Sequence, residues 1–454
     1  MKDSVNNPLG YAPVAGLIRK FAIPSILGLL VTAAYNIIDQ IFIGNVVGML
    51  GNAATNVAFP YAMLSTAFAQ LVGAGSAANF NISLGAKKHE DAQRFIGNGI
   101  TLSFVFGLLL MGVALVFKTP ILLLCGATPE VLPFAELYLG ITAIGLPFFI
   151  FTLSGSQLIR ADGSPAYSMI CIASGAIFNV FLTWIFMFVF EWGIQGAAAA
   201  TVIGQFTSFV MCIAYFPRFK SFKIKSEMLK VLPKYAFGIA KLGTANFVNH
   251  VILATVNTVM NNTLTYYGAL AVYGSNIALA VSGIIAKING ILIAFCVGLA
   301  QGCQPILSFN MGAKNYTRVK ETYKKALVAT LAISFLAFLA LQTFPRQIVS
   351  IFGEGSELYF EFAERYMRIF LMMVCVFGIQ PLTVNYFASI GYARQGILLS
   401  LSRQGFILLP LLIVLPMFFG LDGVLYAGPI ADTLAFALSL TLITRNFRSL
   451  RGLS

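Results

Sequence analysis

The chain has 454 residues, 58% of them hydrophobic and only 10% charged, where a soluble domain carries about 25% charged residues. That balance excludes soluble enzymes and nucleic-acid binders and leaves a polytopic membrane protein. The net charge of +13 calls for no nucleic acid, because membrane proteins concentrate Lys and Arg in cytoplasmic loops. The six Cys lie in apolar surroundings without a CxxC pair and read as packed thiols. The first apolar run is too long for a cleavable signal, so the first helix is expected to stay.

A span needs about 20 mostly apolar residues. In chain order the charge-poor stretches predict twelve helices, at 16–44, 54–84, 94–117, 132–159, 165–190, 194–216, 237–266, 271–309, 319–344, 359–389, 393–418 and 422–446. The fold class is therefore all-α, a membrane protein of twelve transmembrane helices. Basic residues crowd alternate connections. They fill the N-terminus (Lys2, Arg19, Lys20), the second-to-third turn (Lys87, Lys88, Arg94), the sixth-to-seventh loop (Arg218 to Lys241), the eighth-to-ninth turn and the C-terminus. Both termini are expected in the cytoplasm, in a plasma (inner) membrane.

The chain also repeats itself. A shift of 227 or 228 residues brings Leu84-Gly-Ala-Lys-Lys88 onto Met311-Gly-Ala-Lys-Asn315, Phe134-Ala-Glu-Leu-Tyr138 onto Phe362-Ala-Glu-Arg-Tyr366, Gly163 onto Gly391, and Gly193-Ile-Gln-Gly196 onto Gly420-Leu-Asp-Gly423. These matches predict two pseudo-symmetric six-helix lobes, 1–217 and 237–454, joined by a basic cytoplasmic linker at 218–236. Parallel repeats of this kind enclose a substrate site in transporters and alternate its access.

Within the first helix, Asp39 follows Pro24 by fifteen residues, about 22 Å along the axis, which places a carboxylate inside the bilayer. Such a group is costly unless it meets a cavity, a cation or a donor. The plainer alternative is a carboxylate hydrogen-bonded between helices for packing. Thr32, Tyr35 and Asn36 share its face, so that face can line a wet cavity. Asn179 and Thr183, and likewise Thr201 and Gln205, are i,i+4 pairs that can each aim oxygens at one point. Pro24 removes a helix hydrogen bond and permits a bend, although Pro is also merely tolerated near a helix start.

Taken together, Pro24 and Asp39 in the first helix, Gly-Ala-Lys after the second and eighth, Arg160-Ala-Asp-Gly163, Asn179, and Gly196-Ala-Ala-Ala-Ala-Thr201 resemble the multidrug and toxic compound extrusion (MATE) family, bacterial type. The resemblance covers nearly the whole chain. It implies a secondary antiporter that exports amphipathic, often cationic, drug-like compounds in exchange for sodium or protons. It also implies that Asp39, with Asn179, Thr183 and Thr201 from the fifth and sixth helices, couples the cation; loading Asp39 is then expected to change the bend that Pro24 permits in the first helix. Position 183 usually holds a second acidic residue in the resembling sequences, and here it is Thr, which leaves the choice between Na+ and H+ open. For Thr183 itself, a bond to its own helix carbonyl is an equal alternative.

In the second half, Lys287, Arg403 and Asp432 are the charges farthest from predicted loops, with Gln301 and Gln304 beside Pro305. Lys287 and Asp432 are expected to pair, as intramembrane charges usually do. The alternative has Asp432 attracting a cationic drug or Lys287 an anionic one. Together with Tyr35, Asn36, Gln205, Gln301 and Arg403 these residues form the expected substrate cavity. His250 is expected to pack or face a cavity. No Walker spacing occurs, so ATP is not expected as the energy source, and no enzyme constellation, transition-metal site or cofactor is expected. The chain is expected to work as a monomer in the lipid bilayer. The competing readings are a flippase of lipid-linked or anionic substrates, with Lys287 and Arg403 carrying the substrate, and a receptor or scaffold without transport.

Overall fold

The computed structural model describes residues 7–351 and 356–451, and every regular element among them is helical. The spans are Val14–Val46, Met49–Gly85, His89–Val116, Leu132–Ile144 with Leu146–Ala161, Pro165–Trp184 with Ile185–Val189, and Gly193–Tyr215 in the first half. The second half has Pro233–Leu270, Gly274–Gly312, Tyr316–Thr343, Glu357–Phe370 with Val374–Phe377 and Ile379–Ser389, Ala393–Leu401 with Ser402–Leu408 and Leu409–Phe419, and Leu421–Arg451. Among the described residues nine helices are long and apolar enough to cross a membrane alone, and the bent fourth and tenth spans qualify once their parts are joined. The seventh has ample length at 38 residues but carries Asn246, Asn249, His250, Asn257, Asn261 and Asn262. A helix this polar stays in a bilayer by turning its polar side to protein or to a wet cleft.

The repeat is visible in the backbone itself. Gly163 and Gly391 turn with φ of +86° and +88°, and Lys87 and Lys314 with +61° and +57°. The two glycines supply a left-handed turn without steric cost. The lysines adopt the same conformation although a Cβ disfavours it.

How the two six-helix lobes meet is set by glycine. In the half nearer the termini a single core draws from both lobes, with Phe21, Phe80 and Leu158 beside Ile306, Tyr323 and Tyr386. In the other half the cores are separate, one around Ala135 and Ile150 and one around Phe362 and Val424. The eighth span records the transition along one face, because Gly283, Gly290, Gly298, Gly302 and Gly312 fall within a third of a turn at about 100° per residue. A Cβ at Gly283 or Gly290 would meet nothing within 4 Å, whereas one at Gly298, Gly302 or Gly312 would strike the backbone of Ile26, Ala22 or Ile82. Gly243 presses on Leu71 and Gly75 on Ile239 in the same half. The amides of Asn79 and Gln304 cross the seam to the carbonyls of Gly238 (3.0 Å) and Ala74 (3.1 Å). The lobes are thus sealed toward the termini and diverge toward the opposite face.

Candidate functional site

Asp39 lies on the first span in the diverging half, partly buried, and its Oδ1 accepts the hydroxyl of Thr183 at 3.3 Å. The π-helical turn Ile185–Val189 begins directly after this part of the fifth span; such turns often mark functional sites. On the same face of the fifth span Asn179 donates to the Thr201 hydroxyl at 3.2 Å, and that hydroxyl donates a hydrogen bond to the Ala197 carbonyl at 3.0 Å. Asp39, Asn179, Thr183 and Thr201, named from sequence, therefore converge from three helices.

One turn from Asp39, Tyr35 joins Thr32, Thr152, Asn179, Thr201 and Gln205 around a small cavity of about 60 Å³ within the N-terminal lobe. Its polar walls are incompletely paired. Thr152 Oγ1, Asn179 Oδ1 and Gln205 Oε1 are buried and lack a hydrogen-bond partner among the described residues. Buried oxygens without partners are costly, so a cavity holding three of them is suited to water, a hydrogen-bond donor or a cation. The fourth span makes room for one. It bends by 53° at Gly145, and a Cβ at that glycine would fall on the Gln205 amide oxygen.

Sequence reasoning missed Tyr138, which stands near Asp39 and Tyr35. Its signal was present in the duplicated segment Phe134–Tyr138, which served only to define the repeat. Arg160 was noticed as part of a turn, yet its guanidinium is buried and donates to Ser25 Oγ at 2.9 Å. Ser25 in turn donates to the Phe21 carbonyl at 2.8 Å, beside Pro24. The first span remains one continuous helix through Pro24.

The second lobe requires a correction. Asp432 does not pair with Lys287. Its Oδ1 accepts Nε of Arg403 at 2.6 Å, both side chains are buried, and the guanidinium lies 4.8 Å from the Phe377 ring centroid. Arg403 sits in the π-helical stretch Ser402–Leu408, and a planar guanidinium stacked on a ring is more weakly hydrated than an ammonium and better suited to burial. Lys287 is exposed and makes no ion pair among the described residues. Asn36 is also exposed and does not line the cavity, while Gln301 is half-buried one turn before the seam residue Gln304. His250 is half-buried, and its Nδ1 has no partner among the described residues. Among the described residues no group of three His, Cys, Asp or Glu could hold a metal ion.

A duplicated bundle of twelve spans, with an intramembrane carboxylate beside an internal cavity, defines a membrane transporter rather than an enzyme. The family model MatE matches residues 24–185 and 251–414, one segment in each lobe. The chain belongs to the MATE family of transporters. It is 26% identical over 444 residues to the multidrug export protein MepA of Staphylococcus aureus (strain MSSA476), covering 98% of this chain and 96% of that one. It is 27% identical to MepA of Staphylococcus haemolyticus (strain JCSC1435), with 93% and 92% covered. Its fold matches a MOP superfamily transporter from Pyrococcus furiosus with a TM-score of 0.91 at 18% identity. The same score, at 19% identity, relates it to a multidrug resistance MATE transporter described as outward-facing, and in both cases 99% of each chain is covered.

Proposed function

We propose that the protein is a multidrug exporter of the plasma membrane that expels amphipathic, often cationic compounds in exchange for an inward-moving cation. The observation that carries this reading is the N-terminal cavity with its unpaired oxygens one helical turn from Asp39. A cation entering there meets oxygen donors, and a proton or sodium ion reaching Asp39 neutralises the carboxylate. The proton is the first candidate. Sodium bound at one carboxylate, with hydroxyl and amide oxygens for company, keeps less charge compensation than it would beside a second acid at position 183.

In this reading the termini and the basic loops are cytoplasmic, so the glycine seal closes the inner side and the cleft opens outward. Loading Asp39 changes the bend of the first span near Pro24, where Arg160 and Ser25 hold it, and access alternates as the lobes rock. The two lobes carry the cycle within one chain as a monomer. A flippase of anionic substrates is disfavoured, because Arg403 is already neutralised by Asp432 and Lys287 stands outside the cavity.

The test is efflux of a fluorescent cation from reconstituted vesicles under separately imposed proton and sodium gradients. Transport is expected under the proton gradient and lost in Asp39→Asn. Unchanged efflux in that variant, or none under either gradient, would overturn the reading.

A further inference from the structure

Lys and Arg between the sixth and seventh spans need only be present, in a loose tether, to orient the chain. Here they are placed. The segment from Phe216 to Leu232 lies on the N-terminal lobe as a strap, held through its backbone. Asp162, in the turn between the fourth and fifth spans, accepts the N–H groups of Lys220 (2.6 Å) and Ser221 (3.0 Å), the Ser221 hydroxyl (2.6 Å) and the Tyr215 hydroxyl (2.8 Å). Farther on, Arg94 donates to the Glu227 carbonyl (2.6 Å) and Thr101 to that of Leu229 (2.7 Å). The amide of Asn98 donates to Lys230 O (3.2 Å) and accepts from Leu232 N–H (2.8 Å). Gly97 lets the Met228 carbonyl lie against the third span, in space that a Cβ would occupy.

Fixing the backbone sorts the side chains. Phe219 and Met228 are buried and Phe222 and Ile224 pack on the shared core, while Lys220, Lys223, Lys225 and Lys230 point away and are exposed. None of these four makes an ion pair among the described residues. The strap's one acid is Glu227. At its end the character of the surface changes, with Val231, Leu232 and Phe237 exposed by 43%, 37% and 73%. Outward apolar side chains on a membrane protein face hydrocarbon, so the lysines stand next to the level where acyl chains give way to headgroups.

A fixed row of ammonium groups bordering a lipid-facing apolar edge is complementary to negative charge lying just above hydrocarbon. We propose that the strap, with Lys220, Lys223, Lys225 and Lys230, is a binding surface for anionic phospholipid headgroups. The phosphate of each headgroup takes the ammonium donors, and its acyl chains lie against Val231, Leu232 and Phe237. The site also bears on the transport cycle. The seventh span starts at Pro233, immediately after the strap, and ten residues later Gly243 presses on Leu71 in the seal. Lipid held on the strap therefore acts on the junction between an element fixed to one lobe and a helix of the other.

The experiment measures which lipids the whole chain retains. Spin-labelled phosphatidylglycerol and phosphatidylcholine are compared at the protein boundary in mixed vesicles, for the wild type and for K220Q/K223Q/K225Q/K230Q. The wild type is expected to prefer phosphatidylglycerol, and the variant to lose at least about threefold of that preference, given the strength of a Lys near an anionic surface. The matching Lys→Arg chain should keep it. If four Gln prevent insertion, K220Q/K223Q and K225Q/K230Q are each expected to lose roughly half the effect. An unchanged preference in an inserted Gln variant would reduce the lysines to a topology signal and overturn the proposal. So would equal displacement of the lipid by inorganic phosphate at constant ionic strength, because the surface would then be a free-phosphate site.

Discussion

The fifth and sixth spans cross in the N-terminal lobe as the eleventh and twelfth do in the C-terminal lobe, but the crossings are filled differently. In the first, Gly175 and Gly204 touch through their backbones, and Gln205, whose amide oxygen has no partner among the described residues, lines the cavity beside them. The repeat shift carries Gly175 onto Arg403 and Gln205 onto Asp432. Where one lobe keeps space, the other inserts a guanidinium and a carboxylate that neutralise one another. Duplication preserved the path of the chain and left each crossing free to take a separate task. One crossing is open, polar and unsatisfied, and the other is occupied and electrically closed.

The comparison breaks first at the ion pair. Removing one partner of a buried pair strands the other charge, at a cost of about 3–5 kcal/mol. Arg403→Gln is therefore expected to lower folded yield and thermal midpoint sharply, and Arg403→Met with Asp432→Leu to recover most of the loss. If the single variant unfolds like the wild type, the second crossing is not held by its charges. Next is Gly175→Ala, whose Cβ would strike the Gly204 carbonyl and Ser208. Overpacking of this kind costs about 1–3 kcal/mol, and dye binding should weaken because the added methyl intrudes on the cavity wall.

Asp39→Asn sharpens the contrast from the other side. Its hydrogen bond from Thr183 is long, so stability should move by less than about 1.5 kcal/mol while gradient-driven efflux falls at least about tenfold, equivalent to ~1.4 kcal/mol. A large loss of thermal stability without a transport defect would make this carboxylate structural, as Asp432 is in the other lobe. Thr183→Val is the mildest change. It removes a single donor, worth about 0.5–1.5 kcal/mol, and should move the pH dependence of efflux without abolishing it. A flat comparison of the two pH profiles would remove Thr183 from the site.

Much of the architecture was legible because it rests on patterns internal to the chain. Charge-free runs located the spans, including the polar seventh, whose Asn residues do not interrupt a run without Asp, Glu, Lys or Arg. Four segment matches at a shift of 227 or 228 residues exposed the duplication, and the family resemblance singled out Asn179 and Thr183, which helical spacing puts on one face. The bends were not legible. The tenth span turns by 44° between Phe370 and Val374, where Leu371, Met372 and Met373 offer neither Gly nor Pro as a signal. Partner choice between helices was equally hidden. Periodicity gives the face of a residue on its own helix but not what stands across from it, so the sequence pointed Asp432 to Lys287 and passed over Arg403. Tyr138 escaped for the same reason, since its neighbour Asp39 is a hundred residues away in the chain.

The seal on the terminal side has a consequence for energy economy. It is made by Gly75, Gly243, Gly298, Gly302 and Gly312 lying against main chain, a closure built from absent side chains. With no ionisable group at those five positions and main chain pressed on main chain, these contacts themselves offer a proton nothing to hop along. A barrier of this kind is an insulator. It allows a machine in contact with a standing ion gradient to idle without short-circuiting it.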